Sequence, residues 1–302
     1  MRHRALVAGF SLLAGIAAFL PLVLGPYGLS VALTLCMWIA LTQSWSLFCG
    51  LTGYISLGHV VFYGLGAYLS VVAWQVLPLW LVVPLAGLAA GLFALVIGSP
   101  VLRVRGPYFV ILTFGIAELV KHLVVNLEAG IGKASRLLFG TPSIAVLFWA
   151  MLGLCLLASL LAVFLRRSRF AKGLIAIRED EAAAATIGIP VTRFKTLAYA
   201  LSAVIPGMVG ALMVLRSTYF EALQVFNPVI SFSIVTMAII GGSDDARGPL
   251  LGAAFLMALS EVLWANAPQL YLIILGLLLV GFVLLLPNGL VGLAARFSRS
   301  AP

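Results

Sequence analysis

Apolar runs of roughly twenty residues recur along almost the whole chain, and the charges are gathered in the short stretches between them. A helix rises about 1.5 Å per residue, so runs of this length match the ~30 Å hydrocarbon core of a bilayer. Ten candidate spans are read at roughly 5–24, 29–48, 54–76, 79–98, 107–126, 145–165, 196–216, 227–241, 249–267 and 269–286. The eighth is short and the third is rich in glycine, so a re-entrant or broken segment is expected at either. Only 9% of residues are charged and 63% are hydrophobic, whereas a soluble domain carries about 25% charge. The expected fold is therefore all-α and polytopic, with about ten (8–10) transmembrane helices in one membrane domain, 1–302.

The net charge of +9 raises nucleic acid as a partner, but the cations sit between apolar runs, as flanking charge does. With the N-terminus inside, alternation places the 99–106, 166–195 and 242–248 loops and the C-terminus on the same side. Of the 18 Lys and Arg residues, 14 then lie inside: Arg2, Arg4, Arg103, Arg105, Arg166, Arg167, Arg169, Lys172, Arg178, Arg193, Lys195, Arg247, Arg296 and Arg299. Lys133 and Arg136 fall outside, and Lys121 and Arg216 within or at the end of spans. This is the positive-inside pattern, and it makes both termini cytoplasmic. Ten spans divide into two groups of five, and an odd number per half forces the halves into inverted orientation. The N-terminal run is longer than a signal-peptide core and is expected to be retained as a span. Cys36, Cys49 and Cys155 are widely spaced in or beside apolar segments and form no metal pattern, so packing roles and no metal site are expected.

The segment 166–195 is too polar to span and too short to be a domain. Within it, "GLIAIREDEAAAATIG" (173–188) carries Glu179, Asp180 and Glu181 ahead of four alanines. Its Glu and Ala content favours a short helix, stopped at Gly188 and Pro190. Arg178 and Glu181, at i,i+3, share a face of that helix. A solvated connector and a docking element for a cytoplasmic partner both fit this pattern.

Glu181-Ala182-Ala183 followed by Gly188 resembles the coupling helix of ABC importer permeases, which docks on an ATPase subunit; the generic spacing has one residue fewer. "GLTGYISLGHVVFYGLGAYLS" (50–70), "LRVRGPYFVILTFGIAELVK" (102–121), "AIREDEAAAATIGIPVTRFKTLAYALSAVIPGMVGAL" (176–212) and "GGSDDARGPLLGA" (241–253) are similar, in the same order, to segments of branched-chain amino acid ABC importer permeases of the LivM type. The resemblance covers about residues 30–290. It implies a permease subunit of the bacterial inner membrane, with two ABC ATPase subunits, an external substrate-binding protein and a second permease, a related chain rather than a copy. Arg178, Glu179, Glu181, Ala182, Ala183 and Gly188 are then expected to couple to the ATPase. ATP-Mg belongs to the ATPase chains; this chain is not expected to be an enzyme or to hold a cofactor, since "GIGKAS" (130–135) lacks phosphate-loop spacing. Branched-chain amino acids lead as cargo, with urea and short amides as alternatives. The chain departs from the family at Tyr54, where glutamine is common, and at Ser243-Asp244-Asp245, where a Gly-Thr turn is common.

Two polar groups compete for a direct role in transport. Gly53, Tyr54, Ser56, Gly58, His59 and Phe62 surround a glycine-rich stretch that is either tightly packed or broken to expose backbone groups along a substrate path. Glu118 lies about 17 Å into its span at 1.5 Å per residue. Lys121 and His122 share its face, as a structural ion pair, a gate or an ion-coupling element. The last of these belongs to the competing reading, an ion-coupled secondary transporter; a channel is a third. Arg103 and Arg105 are expected to set topology and meet lipid phosphate, with contact to a partner as the alternative; Glu261 receives no role.

Overall fold

A computed structural model describes residues 25–132, 135–243, 245–266, 270–285 and 289–291. Among these residues twelve helices run in chain order: α1 (Pro26–Thr52), α2 (His59–Ala73), α3 (Leu79–Val101), α4 (Pro107–Gly130), α5 (Ile144–Arg167), α6 (Arg169–Glu179), α7 (Glu181–Thr186), α8 (Val191–Ser217), α9 (Ala222–Val225), α10 (Pro228–Gly241), α11 (Gly248–Asn266) and α12 (Tyr271–Leu285). Among the described residues, α1, α3, α4, α5, α8 and the run Ala222–Gly241 are the six that are long and apolar enough to cross a membrane. The apolar stretches His59–Ala73, Gly248–Leu263 and Ile273–Phe282 are shorter. An apolar helix thus stands at each of the nine expected spans from 29–48 onward; the expected first span, 5–24, lies outside the described residues.

Proline and glycine punctuate the spans. Pro26, Pro107 and Pro228 occupy first turns, where the missing N–H costs nothing. Gly53, at φ 74°, ends α1 in the left-handed region that favours glycine. The third expected span is indeed broken: residues 53–58 form no helix, and α2 starts only at His59.

The bundle is built around α1 and α8. α8 packs on α1, α2 and α3, while α1 also meets α5, α10 and α11. Close backbone approach sets the α2–α8 crossing, because a Cβ added at Gly66 would fall 1.9 Å from Gly207 O, and one at Gly210 1.9 Å from Tyr63 O. Small residues of this kind let membrane helices gain dispersion contacts where no hydrophobic driving force separates protein from lipid. By contrast α4 buries one stripe only, Phe109, Thr113, Ala117, Val120, Val124 and Glu128.

Two departures from the all-helical expectation are local. A two-residue antiparallel ribbon joins β1 (Arg136–Leu137) to β2 (Tyr219–Phe220), linking the α4–α5 connection to the α8–α9 one. Residues 173–188, expected as one helix, form parts of two. Asp180 is extended (φ −155°, ψ 114°), and its Oδ1 accepts from the Ala182 and Ala183 N–H groups at 2.8 and 3.1 Å, capping α7. Aspartate competes for backbone donors, so it starts a helix more readily than it continues one.

Gly66→Val is expected to lower stability by at least about 1–3 kcal/mol through overpacking, and Gly153→Ala, with nothing within 4 Å of the added Cβ, to be neutral. Thermal midpoints in detergent test this; equal midpoints would remove the α2–α8 crossing as a tight constraint.

Candidate coupling site

The segment 168–190 lies across one end of the bundle. Ser168 Oγ accepts from Ala171 N–H at 3.1 Å and starts α6. At the other end Gly188 (φ 86°) turns the chain, and Ile189 N–H donates to Ala184 O at 3.1 Å. The loops that the charge count puts on one side meet here. Arg166 Nη2 donates to Ser243 O (2.8 Å) and Arg178 Nη1 to Gly50 O (2.8 Å).

At the centre is Glu181. Its Oε1 accepts from Tyr54 Oη at 2.5 Å and from Lys195 Nζ at 2.7 Å, and its Oε2 meets Arg105 Nη2 at 2.6 Å. Lys195, only 3% exposed, also donates to Leu102 O (3.1 Å) and Tyr54 Oη (3.1 Å) and lies 4.6 Å from the Tyr54 ring centroid. One carboxylate thus joins α7, the α1–α2 break, the α3–α4 turn and the start of α8. Burial pushes the Glu181 carboxyl up. The hydrogen bonds from Lys195 and Tyr54, with the Lys195 and Arg105 charges, outweigh it and hold the pKa below the usual carboxylate value. The contribution of this ionised hub is therefore complete above the unfolded glutamate value of about 4.3 and lost as pH falls through the lower folded value. Beside the hub a cavity of about 670 Å³ is lined by Gly53, Ile55, Val110, Ile111 and Ile177 together with the charged groups.

The expected coupling residues divide between two directions. Glu181 turns inward, and Arg178 reaches back to α1. Glu179, Ala182, Ala183 and Gly188 are exposed. So is Ile187, at 74%, an apolar knob that the sequence reading passed over. Lys195 was read there as topology alone, and its signal was faint: it is one of two cations, with Arg193, at the start of a mostly apolar helix. Arg105, expected at lipid phosphate, pairs with Glu181 instead.

The expected path residues also separate. Tyr54 belongs to the hub, whereas Ser56, His59 and Phe62 are fully buried. The backbone freed by the break is satisfied internally: Trp45 Nε1 donates to Ser56 O (2.8 Å), Leu57 N–H to Thr113 Oγ1 (3.2 Å), Ser231 Oγ to Leu57 O (2.7 Å) and Gly58 N–H to Ser56 Oγ (3.2 Å). His59 Nε2 lies 3.3 Å from Ser202 Oγ, its ring edge-on to Phe62 and Tyr199. On α4, Glu118 pairs with Lys121, and His122 Nε2 is 3.8 Å from the same carboxylate. At the far end the buried Glu128 takes both Nε (2.7 Å) and Nη2 (2.6 Å) of Arg136 and the Tyr68 hydroxyl (2.9 Å), a clamp that the sequence reading did not single out.

Apolar helices of membrane-crossing length, with a charged helical segment clamped to one end, define a multi-pass membrane protein. The chain belongs to the family described as branched-chain amino acid transport system / permease component, whose model matches residues 27–283. It is 29% identical to the high-affinity branched-chain amino acid transport system permease protein LivM of Salmonella typhimurium, over 91% of this chain and 72% of that protein. Against the LivM protein of Escherichia coli K12 it is 30% identical, over 80% of this chain and 64% of that one. The permease protein LivH of Salmonella typhimurium is 25% identical over 61% of this chain and 59% of its own. The chain thus spans only about two thirds of the length of the LivM relatives. No solved structure matches it significantly.

Removing one partner of a buried pair leaves the other uncompensated, at a cost of about 3–5 kcal/mol. Lys195→Met is expected to lower the thermal midpoint and speed protease cleavage within 166–195, and adding Glu181→Gln to restore part of the loss. A Lys195→Met protein as stable and as protease-resistant as the parent would dismiss the hub.

Proposed function

We propose that this chain is the membrane-spanning permease subunit of an ATP-driven importer of branched-chain amino acids. On this reading it acts in the bacterial cytoplasmic membrane, with the hub end and both termini facing the cytoplasm. Ten spans in two inverted halves of five accommodate the apolar helices and the charge distribution. The family, and the LivM and LivH names of its relatives, support the cargo and a second, related permease. Two ATPase subunits and an external binding protein complete the assembly, and ATP hydrolysis belongs to the ATPase chains rather than to this one.

The observation that carries the mechanism is the Glu181 hub. A partner seated on the exposed face of Glu179, Ala182, Ala183, Ile187 and Gly188 pushes α7. Glu181 delivers the displacement to α4 through Arg105, to the α1–α2 break through Tyr54 and to α8 through Lys195. Outward residues therefore bind the ATPase, and inward ones transmit its motion. The two classes fail differently when altered.

Gentle purification from the native membrane, with mass spectrometry and an ATPase assay, is expected to recover two ATPase subunits and a second permease. Reconstituted with the binding protein, the complex should take up leucine at the expense of ATP. Ile187→Asp is expected to reduce co-purified ATPase tenfold or more without changing the thermal midpoint. Glu181→Gln should retain the ATPase but lower the leucine imported per ATP. Normal leucine-to-ATP ratios and normal assembly in both variants would sink the division of roles, and a chain that always purifies alone would sink the importer.

A further inference from the structure

The buried stripe of α4 has a counterpart on the other side of the helix. There Leu119, Leu123 and Leu127 are exposed, as a lipid-facing helix requires. Between them runs a polar row, Glu118, His122 and Asn126, spaced i, i+4, i+8 and so stacked on one face. The His122 side chain is 64% exposed, Asn126 is exposed, and Glu118 is 31% exposed where it meets Lys121. One turn earlier, Gly115 has open space around it. At about 1.5 Å per residue the row begins about 17 Å from Pro107, at mid-span, and runs a further 12 Å toward the far end of the span.

Hydrocarbon cannot occupy that face. A carboxylate, an imidazole and an amide need partners that acyl chains do not have, and intramembrane polar groups of this kind face protein or water. Among the described residues none supplies the cover, since α4 meets them through the opposite stripe. The cavity at the α1–α2 break reaches Gly53 and Ile55 but stops short of Ser56, His59 and Phe62, which are fully enclosed.

We propose, resting on the permease reading above, that the Glu118–His122–Asn126 face of α4 is one wall of a water-filled path for a zwitterionic amino acid, and that a second membrane subunit forms the opposite wall. The pairing of Glu118 with Lys121 supplies the chemistry. Glu118 on the face and the Lys121 ammonium beside it, only 13% exposed, form one jointly neutral pair. A passing zwitterion can exchange this internal pair for its own ammonium and carboxylate with no net charge brought into the membrane. A solute of net charge has no such exchange.

The test uses the complete complex in membrane vesicles, with the buried native cysteines left in place. His122→Cys and Asn126→Cys report the proposed wall; Leu92→Cys and Val96→Cys, on the exposed side of α3, report lipid. The probe is a membrane-impermeant trimethylammonium methanethiosulfonate. The wall positions are expected to react at least tenfold faster than the α3 positions and to be slowed severalfold by leucine, and a bifunctional thiol reagent should join His122→Cys to a cysteine in the second permease. Rates as slow as on α3 would mean a lipid-facing or dry surface and overturn the proposal. Fast reaction that leucine does not slow would overturn it equally, since the water would then not be the solute's. Failure to cross-link at any position tried on the second permease would remove the opposite wall. Leucine uptake by the unaltered complex, measured in the same vesicles, reports separately on the permease reading.

Discussion

Hydrocarbon offers nothing with which to hydrogen-bond, so every polar group carried into the bilayer must bring its partner along. The rest of this structure follows from how that demand is met. Long helices meet it along their length, and the interruption at residues 53–58 meets it with side chains. Trp45, Thr113 and Ser231 stand in for the missing helical bonds, each from a different helix. The interruption is therefore a point at which α1, α4 and α10 are fastened together. At the basic end the same demand falls on charge. Lys195 is buried among apolar neighbours and is tolerable there because Glu181, Tyr54 and the Leu102 carbonyl all converge on its ammonium.

That convergence changes the meaning of an acidic, alanine-rich surface helix. Seen alone, Glu181 is one acid among three on a solvated segment, and a surface ion pair contributes about 0–1 kcal/mol. In the folded chain it is largely withdrawn from water and shared by three donors on separate elements. The segment is thereby held to the bundle through Glu181 as well as Arg178, while its small residues stay free to be covered. Rigid attachment inward and an exposed face outward are the two properties needed to pass a displacement across the membrane surface.

Much of this was legible in the sequence. Apolar run length located nine helices, and the glycines at 53, 58, 64 and 66 foretold a break or tight packing and produced both. The division of α6 from α7 was missed because Asp180 was weighed as one of three acids in a helical composition. Its short side chain in fact caps α7, and an aspartate ahead of an alanine run is the signal that would have shown it. Tyr54 was placed on a substrate path because of its neighbours in sequence. Its long side chain reaches out of the break instead, and its partner lies 127 residues away. Composition and periodicity report on a helix and its faces, but a hub assembled from four elements exists only in three dimensions. The Glu128–Arg136 clamp escaped for the same reason, its arginine having looked like ordinary loop charge.

The clamp has a mechanical side. α4 is fixed at its far end, where Glu128 is gripped by Arg136 and Tyr68 and the ribbon ties that connection to the end of α8. Just before its near end it is joined to α7 through Arg105. A rod held at one end and pulled at the other pivots. Over the ~35 Å of this helix, a pull of about 2 Å at the hub becomes about 1 Å at Glu118, halfway along, and nothing at Glu128. The helix is a lever with its fulcrum at Glu128, so a displacement at the hub moves the half of the helix nearer the hub most and dies away toward the clamp.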